Sequence, residues 1–399
     1  MYYRGSLKRF LSISLVTIIV LSIGLYLRPV PALKAQSRPL KLSATGQLYV
    51  PWPDYGQSAF GAVGYGVLAT NNNQKAAPIA SIAKLVTALS VLRQKPLQPG
   101  QQGPKITFGP ADVAIYQKYV AEQGSVVPIN DGEQLTEYQA LQAMLLPSAN
   151  NIADSLANWA FGSQKAYLSY ANNFVNSLGL SKTYLADASG FSPKSVSSAN
   201  NLVILGEKTL ENPVLADIVS QQTAILPLAG KVYNVNWLLG TDGVDGIKTG
   251  NTDQAGGCFL FSAKQSVGGQ QIQIVGAILG APDINSPNQA IDDSQSIIEA
   301  TPQNFTPLEV AKANQVVGTY KAAWGPSSNA VAASDLTIAA WNGSKPTQLT
   351  KLDKVSALAS SGQKVGSASV TSSGQTQTVP VLLQQKIAPP SVFWRIFHL

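Results

Sequence analysis

The chain has 399 residues, of which 45% are hydrophobic and only 12% charged, with a formal net charge of +7. That length suits two domains, or one large domain with an appendix, and the hydrophobic share is that of a globular chain. The charge does not imply nucleic-acid binding. Arg4, Lys8, Arg9, Arg28 and Lys34 fall in the first 35 residues with no acid among them, leaving 23 Lys and Arg against 21 Asp and Glu. A near-neutral body lacks the basic footprint that DNA or RNA requires.

One cysteine and one histidine narrow the chemistry further. Cys258 excludes an internal disulfide and a multi-cysteine metal site. Its apolar neighbours Phe259, Leu260 and Phe261 make it a core thiol. His398, next to the end, is poorly placed as a catalytic base or zinc ligand. No metal and no cofactor is implied. If the chain is a hydrolase, its base is a carboxylate or a lysine.

From the N-terminus, Phe10 to Leu27 is an uncharged apolar run behind Arg4, Lys8 and Arg9. Its 18 residues would span about 27 Å as a helix, close to the bilayer core. The basic flank stays cytoplasmic and sends the rest outside. A cleavable signal ending near Ala35 is the alternative, but the run exceeds the usual signal core, which favours an anchor. Residues 28–45, rich in Pro, Lys and Ser, read as a tether. The expected organisation is a membrane segment 1–35, tether 36–45, a main domain 46–304, a small domain 305–392 and a tail 393–399.

A strand pair is predicted around Ala59–Thr70. A helix follows over Ser81–Arg93, with Ile82, Leu85, Val86, Leu89 and Leu92 at helical spacing. Residues 94–133 read as irregular. Thr136 and Gln139 form a capping box that opens a helix to Leu146. After Pro147-Ser148-Ala149-Asn150, helical periodicity resumes over Ile152–Phe161, Tyr167–Leu178 and Leu202–Leu210. Strands are predicted at Thr223–Leu228, Lys231–Val235, Cys258–Ala263 and Ile272–Leu279, the last two joined by the hairpin loop Gly268-Gly269. One more helix is predicted at Ala290–Ile298. Beyond Val310, short apolar stretches alternate with Gly and Ser turns and predict a small all-β domain.

Three patterns carry the chemistry. In Ser81-Ile82-Ala83-Lys84 the serine and lysine share a helix face, so the amine reaches the hydroxyl at a helix start that favours negative charge. Ser148-Ala149-Asn150 offers a hydroxyl for proton relay and a carboxamide for a substrate amide. Lys248-Thr249-Gly250 enters an apparent edge strand, where Gly250 lets a substrate backbone approach and Lys248 and Thr249 offer a cation and a hydroxyl to a carboxylate. The first pattern recurs at Ser361-Gly362-Gln363-Lys364, in a Gly/Ser-rich turn that reads as a loop. The second recurs at Ser198, Ser286 and Ser327. The third occurs once. The three together, in this order, form the motif set of serine β-lactamases and penicillin-binding proteins.

Longer strings around these motifs resemble the low-molecular-mass penicillin-binding proteins that are serine D-alanyl-D-alanine carboxypeptidases. They are Ile79–Lys84, Leu145–Asn151, Asp187–Ser192 and Val244–Gly250. The resemblance covers roughly residues 45–300, and more loosely the β domain. It implies an α+β fold: a β-lactamase/transpeptidase-like domain with an antiparallel sheet flanked by helices, plus a small C-terminal all-β domain. It implies removal of the terminal D-alanine from peptidoglycan stem peptides through an acyl-enzyme on Ser81, and acylation of that serine by β-lactam antibiotics. Lys84 would be the base and Ser148 the proton relay. Asn150 would orient the peptide, and Lys248, Thr249 and Gly250 would hold its carboxylate end. The backbone N–H groups of Ser81 and Asn251 would form the oxyanion hole. Asn251 stands where many relatives carry a histidine, and Gly280-Ala281-Pro282-Asp283 lacks an arginine common there. An amphipathic C-terminal anchor helix, frequent in the family, is not evident, so the membrane partner is the N-terminal segment. Rival readings are a β-lactamase, whose Glu-x-x-Leu-Asn pattern is missed by one residue at Glu207 on a helix read as exposed, a DD-endopeptidase, and a non-catalytic peptidoglycan-binding scaffold.

Overall fold

The computed structural model describes residues 3–40, 42, 46–356 and 359–398. The parts of the expected membrane segment, tether and tail at 1–2, 41, 43–45 and 399 lie outside the described residues. The chain divides into two units. One comprises Thr45–Thr306 with a short return at Trp341–Ser344. The other comprises Met1–Ala44, Pro307–Ala340 and Lys345–Leu399.

The first unit is built on a five-stranded antiparallel sheet. Its order is Val244–Thr252, Gly256–Val267, Gln270–Ala281, Gln57–Ala62, Gly66–Asn71. The strand carrying Lys248-Thr249-Gly250 is therefore an edge, as its sequence suggested. Period-two alternation sends Cys258, Leu260, Val275, Ala277 and Leu279 into the core shared with the helices. Cys258 is a buried free thiol in that core. Helix Ala199–Leu210 packs against the strands from Gln57 and Gln270. Gly206 is what permits this, since a Cβ there would lie 2.7 Å from Val275. Helix Asn288–Glu299 packs against the two long central strands.

The helical lobe contains Lys84–Gln94, Glu137–Leu145, Asn150–Phe161 and Gln164–Ser177 around one apolar core. The capping box holds. Thr136 Oγ1 accepts from Gln139 N at 3.1 Å, and Gln139 Oε1 accepts from Thr136 N at 3.0 Å.

Four expectations need correction. Residues 94–133 are not all irregular: they contain strand Lys105–Thr107 and helix Pro110–Ala121. That helix buries only Tyr119, so it shows no apolar period. Its signals are Pro110 at the first position and Asp112 accepting from Gly109 N at 2.9 Å. Helix Ala199–Leu210 is largely buried rather than exposed, because its polar run of Glu207 and Lys208 occupies only the last turn. Within the expected membrane segment and tether, Lys34–Ser37 is a strand paired antiparallel with Val316–Lys321. It satisfies backbone groups of an otherwise open sheet edge, and the lone leucines Leu33 and Leu40 are buried beside it. The expected tail contains a short helix, Val392–Phe397, with Ser391 Oγ accepting from Trp394 N at 3.1 Å.

The second unit carries a six-stranded sheet in the order Lys34–Ser37, Val316–Lys321, Ser327–Ala332, Gln375–Leu383, Lys364–Ser372, Thr347–Leu352. It also holds helix Tyr3–Leu27, whose Leu7–Leu27 stretch is long and apolar enough to cross a membrane. Arg395 Nη1 donates to Tyr26 O at that helix's end, at 2.5 Å.

Candidate active site

Ser81 does not open a regular α-helix. It lies in a 3-10 turn, Ala80–Ala83, and Lys84 begins the α-helix. Ala80, just before the serine, has a φ of +45°, a region costly for a residue with a Cβ. Two neighbours hold it there. A Cβ on Gly190, itself at φ +76°, would lie 1.8 Å from Ala80 O, so this loop meets the turn in a way only glycine allows. On the other side Gly250 sits so close that a Cβ would fall 2.9 Å from Ile79 O and 3.1 Å from Ser81 N. The expected role of Gly250 thus gains another. Its missing side chain lets the edge strand pack on the serine's own turn.

The Lys84 side chain is fully buried. Its Nζ donates to Ser81 Oγ at 2.7 Å, Asn150 Oδ1 at 2.7 Å and Ser189 O at 2.8 Å. These three acceptors account for every proton an ammonium carries. Burial, then the charge of Lys248, hold its pKa well below the usual 10.5, against the opposing pull of Asp187 and Asp154. Once neutral, the same nitrogen has a lone pair 2.7 Å from the Ser81 oxygen, within reach for taking its proton.

Ser148 sits in the break between helices Glu137–Leu145 and Asn150–Phe161, 5% exposed and at φ +68°. Lys248 Nζ donates to Ser148 Oγ at 3.0 Å and to Thr249 O at 3.1 Å. Burial brings the Lys248 pKa down to about 7. Asn150 is placed by its backbone N–H, which donates to Ser125 O at 2.7 Å. A Cβ on Gly124 would lie 2.7 Å from its Nδ2.

Asp187 was not singled out for a role by its sequence, and the structure makes it the organiser of one wall. Its carboxylate accepts from Gly190 N at 3.0 Å, Ser192 N at 2.9 Å, Ser189 Oγ at 3.0 Å and Ser195 Oγ at 2.5 Å. This Asx-type loop aims the Ser189 carbonyl at Lys84. The readable signal was an aspartate followed by Gly190 and a run of serines, though nothing in it names the lysine as the target.

Ser81, Ser148, Asn150, Thr249, Gly250 and Asn251 all line one cleft of about 640 Å³. Lys84 and Lys248 stand behind it, their amines bonded to the two serines. The Asn251 side chain donates from Nδ2 to Ile284 O at 2.7 Å, tying the strand end to the loop that follows the last long strand. Glu207 is not among the cleft-lining residues, and Ser361 and Lys364 belong to the other unit.

A buried lysine bonded to a serine, a second buried lysine paired with a second serine, and a sheet edge along a helical lobe are the marks of the penicillin-recognising fold. The family model described as D-alanyl-D-alanine carboxypeptidase matches residues 63–283, and the chain belongs to that family. The D-alanyl-D-alanine carboxypeptidase DacA of Escherichia coli (strain K12) is 26% identical over 217 residues, 54% of this chain and 53% of that protein. The match thus spans about half the length of this curated relative. Two solved structures share the fold at 19% identity. Penicillin binding protein 5 from Haemophilus influenzae has a TM-score of 0.58 over 88% of this chain and 99% of that one. A peptidoglycan synthesis regulatory factor from Streptococcus pneumoniae has a TM-score of 0.64 over 83% and 98%.

Proposed function

We propose that this chain is a serine D-alanyl-D-alanine carboxypeptidase that removes the terminal D-alanine of peptidoglycan stem peptides. The observation that carries the reading is the buried Lys84 amine 2.7 Å from Ser81 Oγ, with the second buried amine of Lys248 lowering its basicity. Neutral Lys84 takes the Ser81 proton as the oxygen attacks the carbonyl carbon of the penultimate D-alanine. The N–H groups of Ser81 and Asn251 stabilise the oxyanion, each worth about 3–4 kcal/mol. As the C–N bond breaks, the proton passes through Ser148 to the departing amine. Water then hydrolyses the ester and regenerates Ser81. Asn150 orients the peptide, Thr249 and Lys248 hold the terminal carboxylate, and Gly250 keeps the strand against the nucleophile. β-Lactam antibiotics acylate the same serine.

The helix Leu7–Leu27 supports a place at the membrane, with the catalytic unit on the extracytoplasmic face. In domain terms, the membrane segment lies within residues 1–33, 46–304 is the catalytic domain, and 305–392 together with strand Lys34–Ser37 is the β domain. The test has two arms. A fluorescent penicillin labels the parent and not Ser81→Ala, and D-alanine is released from a pentapeptide ending in D-Ala-D-Ala. Folded protein that neither labels nor releases D-alanine would end the proposal.

A further inference from the structure

The end of the hairpin Thr223–Leu226/Gly230–Tyr233 and the residues after it carry apolar side chains that stay exposed among the described residues. Tyr233 is 62% exposed, Val235 38% and Trp237 51%, while Ile225, on the paired strand, is 78% exposed. Tyr233 ends the strand, Val235 lies at a bend and Trp237 opens a turn, and these three exposed residues are separated by Asn234 and the buried Asn236. The asparagines face inward and hold the stretch rigid. Asn234 Nδ2 donates to Gln221 O at 3.0 Å. Asn236 Nδ2 donates at 3.2 Å to Gly246 O, on the strand that carries Lys248. Val235 N donates to Leu146 O, beside the Ser148 break, at 3.3 Å. Exposed apolar side chains gathered on a rigid frame mark a binding surface.

We propose that this stripe binds the glycan strand of the peptidoglycan whose stem peptide occupies the cleft; the inference rests on the function proposed above. Three observations select that occupant. Val235, the middle of the stripe, also lines the catalytic cleft, so stripe and cleft are one continuous surface. Tyr233 and Trp237 each stand two residues from it in the chain. A stem peptide of four extended residues reaches only about 14 Å, so a substrate whose end lies at Ser81 brings its sugar to the rim of a cleft of about 640 Å³. The stripe presents two aromatic side chains, Trp237 and Tyr233, the latter with Lys231 Nζ 5.1 Å from its ring centroid, and aromatic faces match the C–H faces of sugar rings.

The experiment uses the full chain and the double variant Tyr233→Ser/Trp237→Ser. D-Alanine release is measured with a free pentapeptide and with the same pentapeptide on its disaccharide. We expect the disaccharide to raise kcat/KM about tenfold in the parent, through KM, and to give no gain in the variant. Acylation by penicillin and turnover of the free pentapeptide should be unchanged, which also shows the variant is folded. No preference in the parent, or a preference that survives in the variant, overturns the proposal. A calorimetric arm with peptide-free glycan strands and Ser81→Ala protein reads binding without catalysis. Heat of binding there that vanishes with the double substitution supports the surface even if D-alanine release fails. A stripe that mediates a dimer, dissociated by the double substitution and blind to glycan, overturns it.

Discussion

The chain contains Ser-x-x-Lys twice, and the two copies have different fates. Ser81 and Lys84 sit at a turn pressed between the edge strand and the Asp187 loop. Lys84 is wholly buried and bonded to three acceptors. Ser361 and Lys364 are both exposed at a turn leading into strand Lys364–Ser372 of the other unit. There the Ser361 hydroxyl donates to Gln384 O at 2.9 Å. The spacing is the same and only the surroundings differ. A tetrad becomes chemistry when burial strips water from the amine and a second cation opposes its proton. Otherwise it is a solvated turn.

The comparison breaks first at the hydroxyls. Ser81→Ala should abolish covalent labelling by penicillin, while Ser361→Ala leaves it unchanged, read by fluorescence on a gel. Next come the amines. Lys84→Arg installs a group that does not deprotonate in proteins, and acylation should slow by roughly 10²–10⁴-fold, the span of general-base catalysis. Lys364→Arg should leave the rate alone. A smaller loss, about 10²-fold, is expected for Gly250→Ala, because the new Cβ would fall 3.1 Å from Ser81 N and displace the nucleophile. Stopped-flow acylation distinguishes the three.

The amines also predict pH effects whose sign can be worked out. Acylation needs neutral Lys84, so its rate should fall as pH drops through a pKa that lies well below 10.5. Lys248→Ala removes one of the influences that lower it, so in that variant the limb should move to higher pH. For stability, unfolded Lys248 titrates near 10.5 and folded Lys248 near 7. Between these values the unfolded chain binds more protons, so stability should rise with pH. From pH 7 to 9 this contributes up to about 3 kcal/mol, seen as a rising Tm. In Lys248→Met the slope should be shallower, with the remainder due to Lys84.

The Asp187 string marks the limit of what local sequence encodes. That string was recognisable as a motif, yet its work is long-range: a carboxylate folds a loop so that one carbonyl meets an amine 105 positions away. Helix Pro110–Ala121 was missed because it buries one side chain, and strand Lys34–Ser37 because its partner lies near position 320. The capping box at Thr136 and the hairpin at Gly268-Gly269 were legible because each is local.

The order of residues by itself determined the three motifs, the scarcity of histidine that pointed to a carboxylate or lysine base, the apolar N-terminal helix and the alternation of a sheet with helices. These are properties of composition and short spacing, which survive without knowledge of distant partners. Tertiary structure alone decided which of two serine–lysine tetrads is buried. It also decided that Gly190 and Gly250 clamp the Ser81 turn, and that Tyr233 and Trp237 stay exposed on either side of Val235, which lines the cleft. Those outcomes depend on desolvation and close approach between segments far apart in the chain, and neither is written in any single stretch of it.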